Sequence, residues 1–285
     1  MLRSVLAAIL CLLVPAAALC ATDPTIADSS ISQALARMYN FDFPASQETL
    51  DRYIAIHPQD PLPYALRASG YLFYELDRLG ILESEFLIDD NQIAGKKIKL
   101  EPDSANREKF LAALKDVDSR VTPVLQADPN NRDALFAICI AQGVATDYMA
   151  LVEKHQIGSL SLARRSNGYA QRLLKLDPKF YDAYLTAGIT EYMMGSLPFF
   201  LRWFVHFDNV NGSKEKGVQN LQMVAREGHY FKPFAKILLS IIALREKHPQ
   251  EAHRLLAELS RDYPENPLFR KELNKLNSRL CVNAN

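Results

Sequence analysis

One spacing runs through this chain and limits what it can fold into. A small or apolar residue is followed by apolar residues four and seven positions later, and five positions after the second comes a proline. Ser46, Leu50, Tyr53 and Pro58 set the pattern. Val117, Val121, Val124 and Pro129 repeat it, as do Ser166, Ala170, Leu173 and Pro178, and Ala252, Leu256, Leu259 and Pro264. Gly217, Leu221 and Val224 keep the register, with His229 in the proline's place. Residues four and seven apart share one face of a helix, and proline cannot continue one. The spacing predicts five helices, each closed by a stop signal. All but the one beginning at Val117 open on a residue small enough to admit another helix at close range.

A second regularity comes after the stops. Six residues past them stand Tyr64, Leu135 and Tyr184; ten past them stand Ala68, Cys139 and Gly188. This pattern resembles the tetratricopeptide repeat, a helix–turn–helix unit with an aromatic and a small residue in its first helix, a small residue opening the second and a proline closing it. The resemblance covers roughly residues 30–276 and is strongest from Pro233 to Phe269. It implies an all-α fold: a right-handed α-solenoid of about five helical hairpins with inserted loops and a C-terminal capping helix. Paired helices are expected near 30–41 and 45–56, 62–79 and 106–127, 131–150 and 158–176, 180–195 and 214–228, and 232–247 and 250–262. Asn266 before Pro267 is a start signal for the last helix, whose Arg270, Lys271, Lys275 and Arg279 are expected to keep its outer face in water.

The stops are unevenly spaced. Pro58 to Pro129 is 71 residues, Pro129 to Pro178 is 49, Pro178 to His229 is 51 and His229 to Pro264 is 35. Only the last interval matches the basic unit, and the surplus falls between the first and second helix of a pair, near 80–105, 147–160 and 196–213. The first insertion carries Glu83, Glu85, Asp89 and Asp90, then Lys96, Lys97 and Lys99, which reads as a solvated flap with internal charge pairing; its spacing matches no calcium loop. The second is equally well read as a true insertion or as longer helices. The third, "GSLPFFLRWFVHFDNVNG", gathers Phe200, Trp203, Phe204 and Phe207 on one helical face. Three readings stand for it: an apolar plug, a docking site for a partner or apolar ligand, or shallow insertion of 199–207 into a membrane interface.

The chemistry the sequence offers is recognition rather than catalysis. It holds no His-Glu-x-x-His stretch, no Gly-x-Ser-x-Gly elbow and no phosphate-cradling glycine loop, and neither a cofactor nor a metal site is expected. Residues 1–21 read as a signal peptide, with Arg3 before an apolar run from Val5 to Val14 and small residues at Ala16–Ala18. A flexible 22–29, a repeat domain over 30–280 and a disordered 281–285 complete the expected organisation. Loss of Arg3 with the leader takes 33 basic residues to 32 against 33 acidic ones, which gives no footprint for nucleic acid. Cys139 and Cys281 remain outside the leader region, too few for a disulfide framework. The expected function is that of a periplasmic or secreted protein-interaction scaffold, with a carrier of an apolar small molecule or lipid, lidded by 196–213, as the alternative. Concave helical-repeat surfaces present rows of first-helix side chains. That reasoning brings forward Tyr64, Arg67, Tyr71, Gln142, Tyr184, Glu191 and Tyr192, with Phe200, Trp203 and Phe204 from the insertion, as partner-binding residues.

Overall fold

The computed structural model describes residues 24–89, 100–197 and 210–282, and among these it is all helical, without a strand. The helices are α1 (Pro24–Tyr39), α2 (Phe43–Ile56), α3 (Leu62–Arg78), the single turn α4 (Ser84–Leu87), α5 (Ser104–Ala127) and α6 (Arg132–Asp147). They continue with α7 (Gln156–Leu176), α8 (Tyr184–Ser196), α9 (Lys214–Glu227), α10 (Lys232–Arg245), α11 (Pro249–Asp262) and α12 (Pro267–Val282). Local signals place them. α2, α5, α7, α9 and α11 each end two residues before the stop position, at Ile56, Ala127, Leu176, Glu227 and Asp262. Where the stop is a proline, the residue preceding it is pushed out of the helical region. Asp42, Asp103, Asn131 and Ser213 cap α2, α5, α6 and α9 by accepting first-turn N–H groups.

Consecutive helices pack chiefly in pairs: α1 with α2, α3 with α5, α6 with α7, α8 with α9, and α10 with α11. The small residues sit at the crossings. Ser46 Oγ donates to the Ala34 carbonyl at 2.8 Å, and Ser166 Oγ to the Cys139 carbonyl at 2.9 Å, so each hydroxyl is satisfied by the partner helix's backbone. Gly188 and Gly217 meet at the α8–α9 crossing, where a Cβ on Gly217 would lie 2.8 Å from the Gly188 carbonyl oxygen. Cys139 is buried against Ser166 and Thr186, and burial pushes its thiol above the ordinary range, leaving it an inert core residue. The stretch Arg132–Val152, which is α6 and the turn after it, is long and apolar enough by composition to cross a membrane; half of it is buried inside this fold, continuously from Ala134 through Cys139.

The surplus near 147–160 is absorbed by helix: α6 runs on through a π turn (Tyr148–Val152), and only three residues separate that turn from α7. The leader region 1–21, Asp90, Lys96, Lys97, Lys99 and the aromatic 199–207 fall outside the described residues. Two buried glutamates hold the ends at which the first and third insertions return. Glu75 on α3 accepts from Asp103 N at 3.0 Å, and Glu191 on α8 accepts from Gly212 N at 2.9 Å and Ser213 N at 3.1 Å.

The end of α1 and the start of α12 meet. Asn266 binds the Tyr39 carbonyl, Tyr39 packs on Tyr263 with centroids 5.3 Å apart, and Phe73 of α3 meets Phe234 of α10 at 5.4 Å. This closure bears on two expectations. Among the described residues Glu83 and Glu85 pair with α12: Lys271 reaches Glu83 at 2.7 Å, Lys275 reaches Glu85 at 2.7 Å and Glu272 at 3.0 Å, and Arg279 reaches Glu85 at 3.2 Å; Lys96, Lys97 and Lys99 lie outside those residues. The charged face of α12 is therefore not simply wet; three of its four basic residues clasp the first insertion.

Candidate functional site

Of the first-helix residues brought forward by the sequence, Tyr64, Glu191 and Tyr192 are buried and Arg67, Tyr71, Gln142 and Tyr184 are partly exposed. Tyr64 is buried; its hydroxyl donates to the Pro58 carbonyl at 3.1 Å and accepts from Arg120 at 2.6 Å, while the Arg120 guanidinium lies 3.7 Å over its ring. Tyr184 repeats the staple, donating to the Pro178 carbonyl at 3.2 Å. The tyrosine six residues past the stop thus ties the turn to the helix it opens. Arg67 pairs with Asp51, and Tyr71 is half-buried, its phenol raised by that burial. Glu191 is buried and ion-paired to Lys216 at 2.7 Å; burial pushes its carboxyl up, but the lysine and backbone N–H groups outweigh it and hold the carboxyl below its ordinary value. Tyr192 is buried and donates to Glu246 at 2.9 Å. Gln142 alone of these keeps a buried side-chain oxygen, Oε1, without a hydrogen-bond partner among the described residues. Phe200, Trp203 and Phe204 lie outside the described residues.

An open concavity lies elsewhere. A cleft of about 720 Å³ lies where α3, α6, α8 and α10 begin, among the turns that join one pair to the next. Phe136 forms its floor, with Phe180 at 4.8 Å and Tyr230 at 6.1 Å between ring centroids, and Tyr181 and Leu62 complete the apolar lining. Asp60, Asp133, Lys179, Glu227 and His229 stand around it. Asp182, buried at its base, accepts from the N–H groups of His229, Tyr230 and Phe231 at 2.9–3.2 Å and so fixes the turn that carries Tyr230. Asp60 fixes another, accepting from Tyr53 Oη at 2.8 Å and Leu62 N at 3.0 Å.

No family model, curated protein or solved structure matches this chain.

A cleft of this size with an aromatic floor and a charged rim suits a small molecule or a short run of side chains. Among the described residues its lining includes no serine, threonine or cysteine. The acids of the α4–α12 clasp are a separate cluster: the carboxylates of Glu83, Glu85 and Glu272 lie within 4.8 Å of one another, with Lys275 bonded to all three. An ammonium group occupies the position a cation would take. Sequence reasoning passed over the cleft because most of its residues sit within a few positions of a stop and read, alone, as parts of a solvated turn. The signal available was aromatic: Phe180 and Tyr181 come just after Pro178, and Tyr230 and Phe231 just after His229, where turns are usually polar.

Proposed function

We propose that this chain is an exported, non-enzymatic scaffold of about five tetratricopeptide-like hairpins in a right-handed solenoid. It takes a segment of a partner protein into the cleft between successive pairs. The observation that carries the reading is the cleft's lining: Phe180, Tyr181 and Tyr230 are partly exposed over a buried phenylalanine, in an opening of about 720 Å³. Partly exposed aromatics at the centre of a concavity, ringed by polar residues, are the usual anchor points of protein recognition. The tyrosine staples and buried glutamates on the first helices support a division of labour, in which those side chains hold the scaffold and the turns present the contact surface.

The test is affinity capture from the secreted and envelope fractions of the source cell, run in parallel with wild type and Phe180→Asp. Expected is one protein retained near stoichiometry by wild type and lost from the variant, with both proteins folded at the capture temperature by circular dichroism. Retention of that protein by both would refute the cleft as the contact. Lipid co-purifying with wild type in place of protein would move the reading to a carrier.

A further inference from the structure

We propose that the cleft selects a cationic guest, an arginine- or lysine-bearing stretch of peptide with an apolar or aromatic neighbour; this rests on the reading of the cleft as the contact site. Three observations point the same way. The first is charge: Asp60, Asp133 and Glu227 stand at the cleft against a single lysine, Lys179. Asp133 and Glu227 are exposed and make no ion pair or hydrogen bond through their side chains among the described residues, so both carboxylates are available to a guest. The second is the wall. Phe180 and Tyr230 offer aromatic surface beside those carboxylates, and a guanidinium placed on a ring face while bonded to a carboxylate gains from both contacts.

The third observation disposes of the opposite sign. Several helices begin at this cleft, and helix starts ordinarily favour anions. Here the chain's own oxygens take that place. Asp60 Oδ1 accepts from Leu62 N, Asn131 Oδ1 accepts from Ala134 N at 3.0 Å, and Asp182 accepts the three N–H groups that lead into α10. An anionic guest would meet carboxylate and carboxamide oxygens where it would otherwise meet free amides. Complementary charge at such a rim sets selectivity and association rate more than total affinity, which is why the guest also needs its apolar neighbour.

Fluorescence polarisation with the full chain tests this, using labelled acetyl-Ala-Phe-Arg-Ala-Phe-Arg-amide and the same peptide with citrulline for arginine. Citrulline keeps the shape and removes the charge. Expected is at least tenfold tighter binding of the arginine peptide, a preference abolished in Asp133→Asn/Glu227→Gln and enlarged in Lys179→Gln. Phe180→Ala should weaken both peptides. Equal binding of the two peptides, still weakened by Phe180→Ala, would overturn the charge selectivity and leave the cleft as a contact site. Binding of neither peptide would overturn the cationic-peptide assignment, and the capture experiment would then decide separately whether the cleft is a contact site. Because Asp133 and Glu227 are exposed, their variants should melt with wild type; binding that falls only because the protein unfolds counts against the proposal.

Discussion

The side-chain amide of Asn266 donates to the backbone carbonyl of Tyr39 across 2.6 Å, joining the start of α12 to the end of α1 over 227 positions of sequence. The same side chain caps α12, its Oδ1 accepting from Leu268 N at 2.8 Å and Phe269 N at 3.2 Å. Asn266→Ala removes the cap and leaves a buried carbonyl without a donor, at an expected cost of about 2–4 kcal/mol. Asn266→Asp keeps the cap but sets a carboxylate oxygen against the Tyr39 carbonyl, so it should also destabilise at neutral pH and recover part of the loss in acid, where a carboxylic acid can donate. Urea denaturation at both pH values checks this. An aspartate variant as stable as wild type at neutral pH would show that the tie contributes nothing.

The clasp between α12 and the first insertion should make stability fall in acid. Bonding to Lys271 holds Glu83 below the ordinary carboxylate range; burial pushes Glu85 up, but Lys275 and Arg279 outweigh it and bring it below as well. A depressed carboxyl contributes stability that is present above its unfolded value, near 4.3, and is lost as pH falls through the lower folded value. Lys275→Met should cost about 1 kcal/mol near neutrality, a modest figure because Glu83 and Glu85 are partly exposed and screened. It should also flatten the acid loss below about pH 4. Thermal melts across that range decide it, and an unchanged acid slope in the variant would dissociate the clasp from acid unfolding.

Where signals were local, the sequence was a sufficient guide. Pro58, Pro129, Pro178 and Pro264 end the preceding helices because the restriction acts on the adjacent residue, and the small side chains at Ser46, Ser166 and Gly217 lie at crossings because size alone decides how near two helices come. What could not be read depends on where distant parts of the chain arrive. Glu83 and Glu85 have three lysines close by in sequence, yet their partners Lys271, Lys275 and Arg279 lie at the far end, brought there by the Tyr39–Tyr263 and Phe73–Phe234 contacts. The cleft has the same origin. Asp60, Phe180 and Tyr230 belong to separate turns and Asp133 to the start of α6, and no single one of these segments encodes the opening they share.

Tyr64→Phe separates scaffold from contact surface. The substitution keeps the buried ring under Arg120 and removes only the hydroxyl that bridges Arg120 and the Pro58 carbonyl. The expected loss is about 1–2 kcal/mol in chemical denaturation, typical of a bond involving a charged donor, with peptide binding at the cleft unchanged. A variant that keeps full stability and loses binding would return Tyr64 to the contact surface.

Two glycines should respond to alanine with opposite sign. On Gly217 an added Cβ would lie 2.6 Å from Tyr192 N and 2.8 Å from the Gly188 carbonyl oxygen, backbone atoms that cannot move aside independently of α8. Gly217→Ala should force that crossing apart and cost about 1–3 kcal/mol, the range for overpacking a tight interior. On Gly168, within α7 and exposed, the same Cβ meets nothing within 4 Å. There alanine only removes freedom from the unfolded chain and raises helix propensity, so Gly168→Ala should stabilise by about 0.5–1 kcal/mol. Denaturation midpoints of the two variants, measured together, test the close approach of α8 and α9 directly. If Gly217→Ala matched the gain of Gly168→Ala, those two helices could not be packed backbone against backbone at that site.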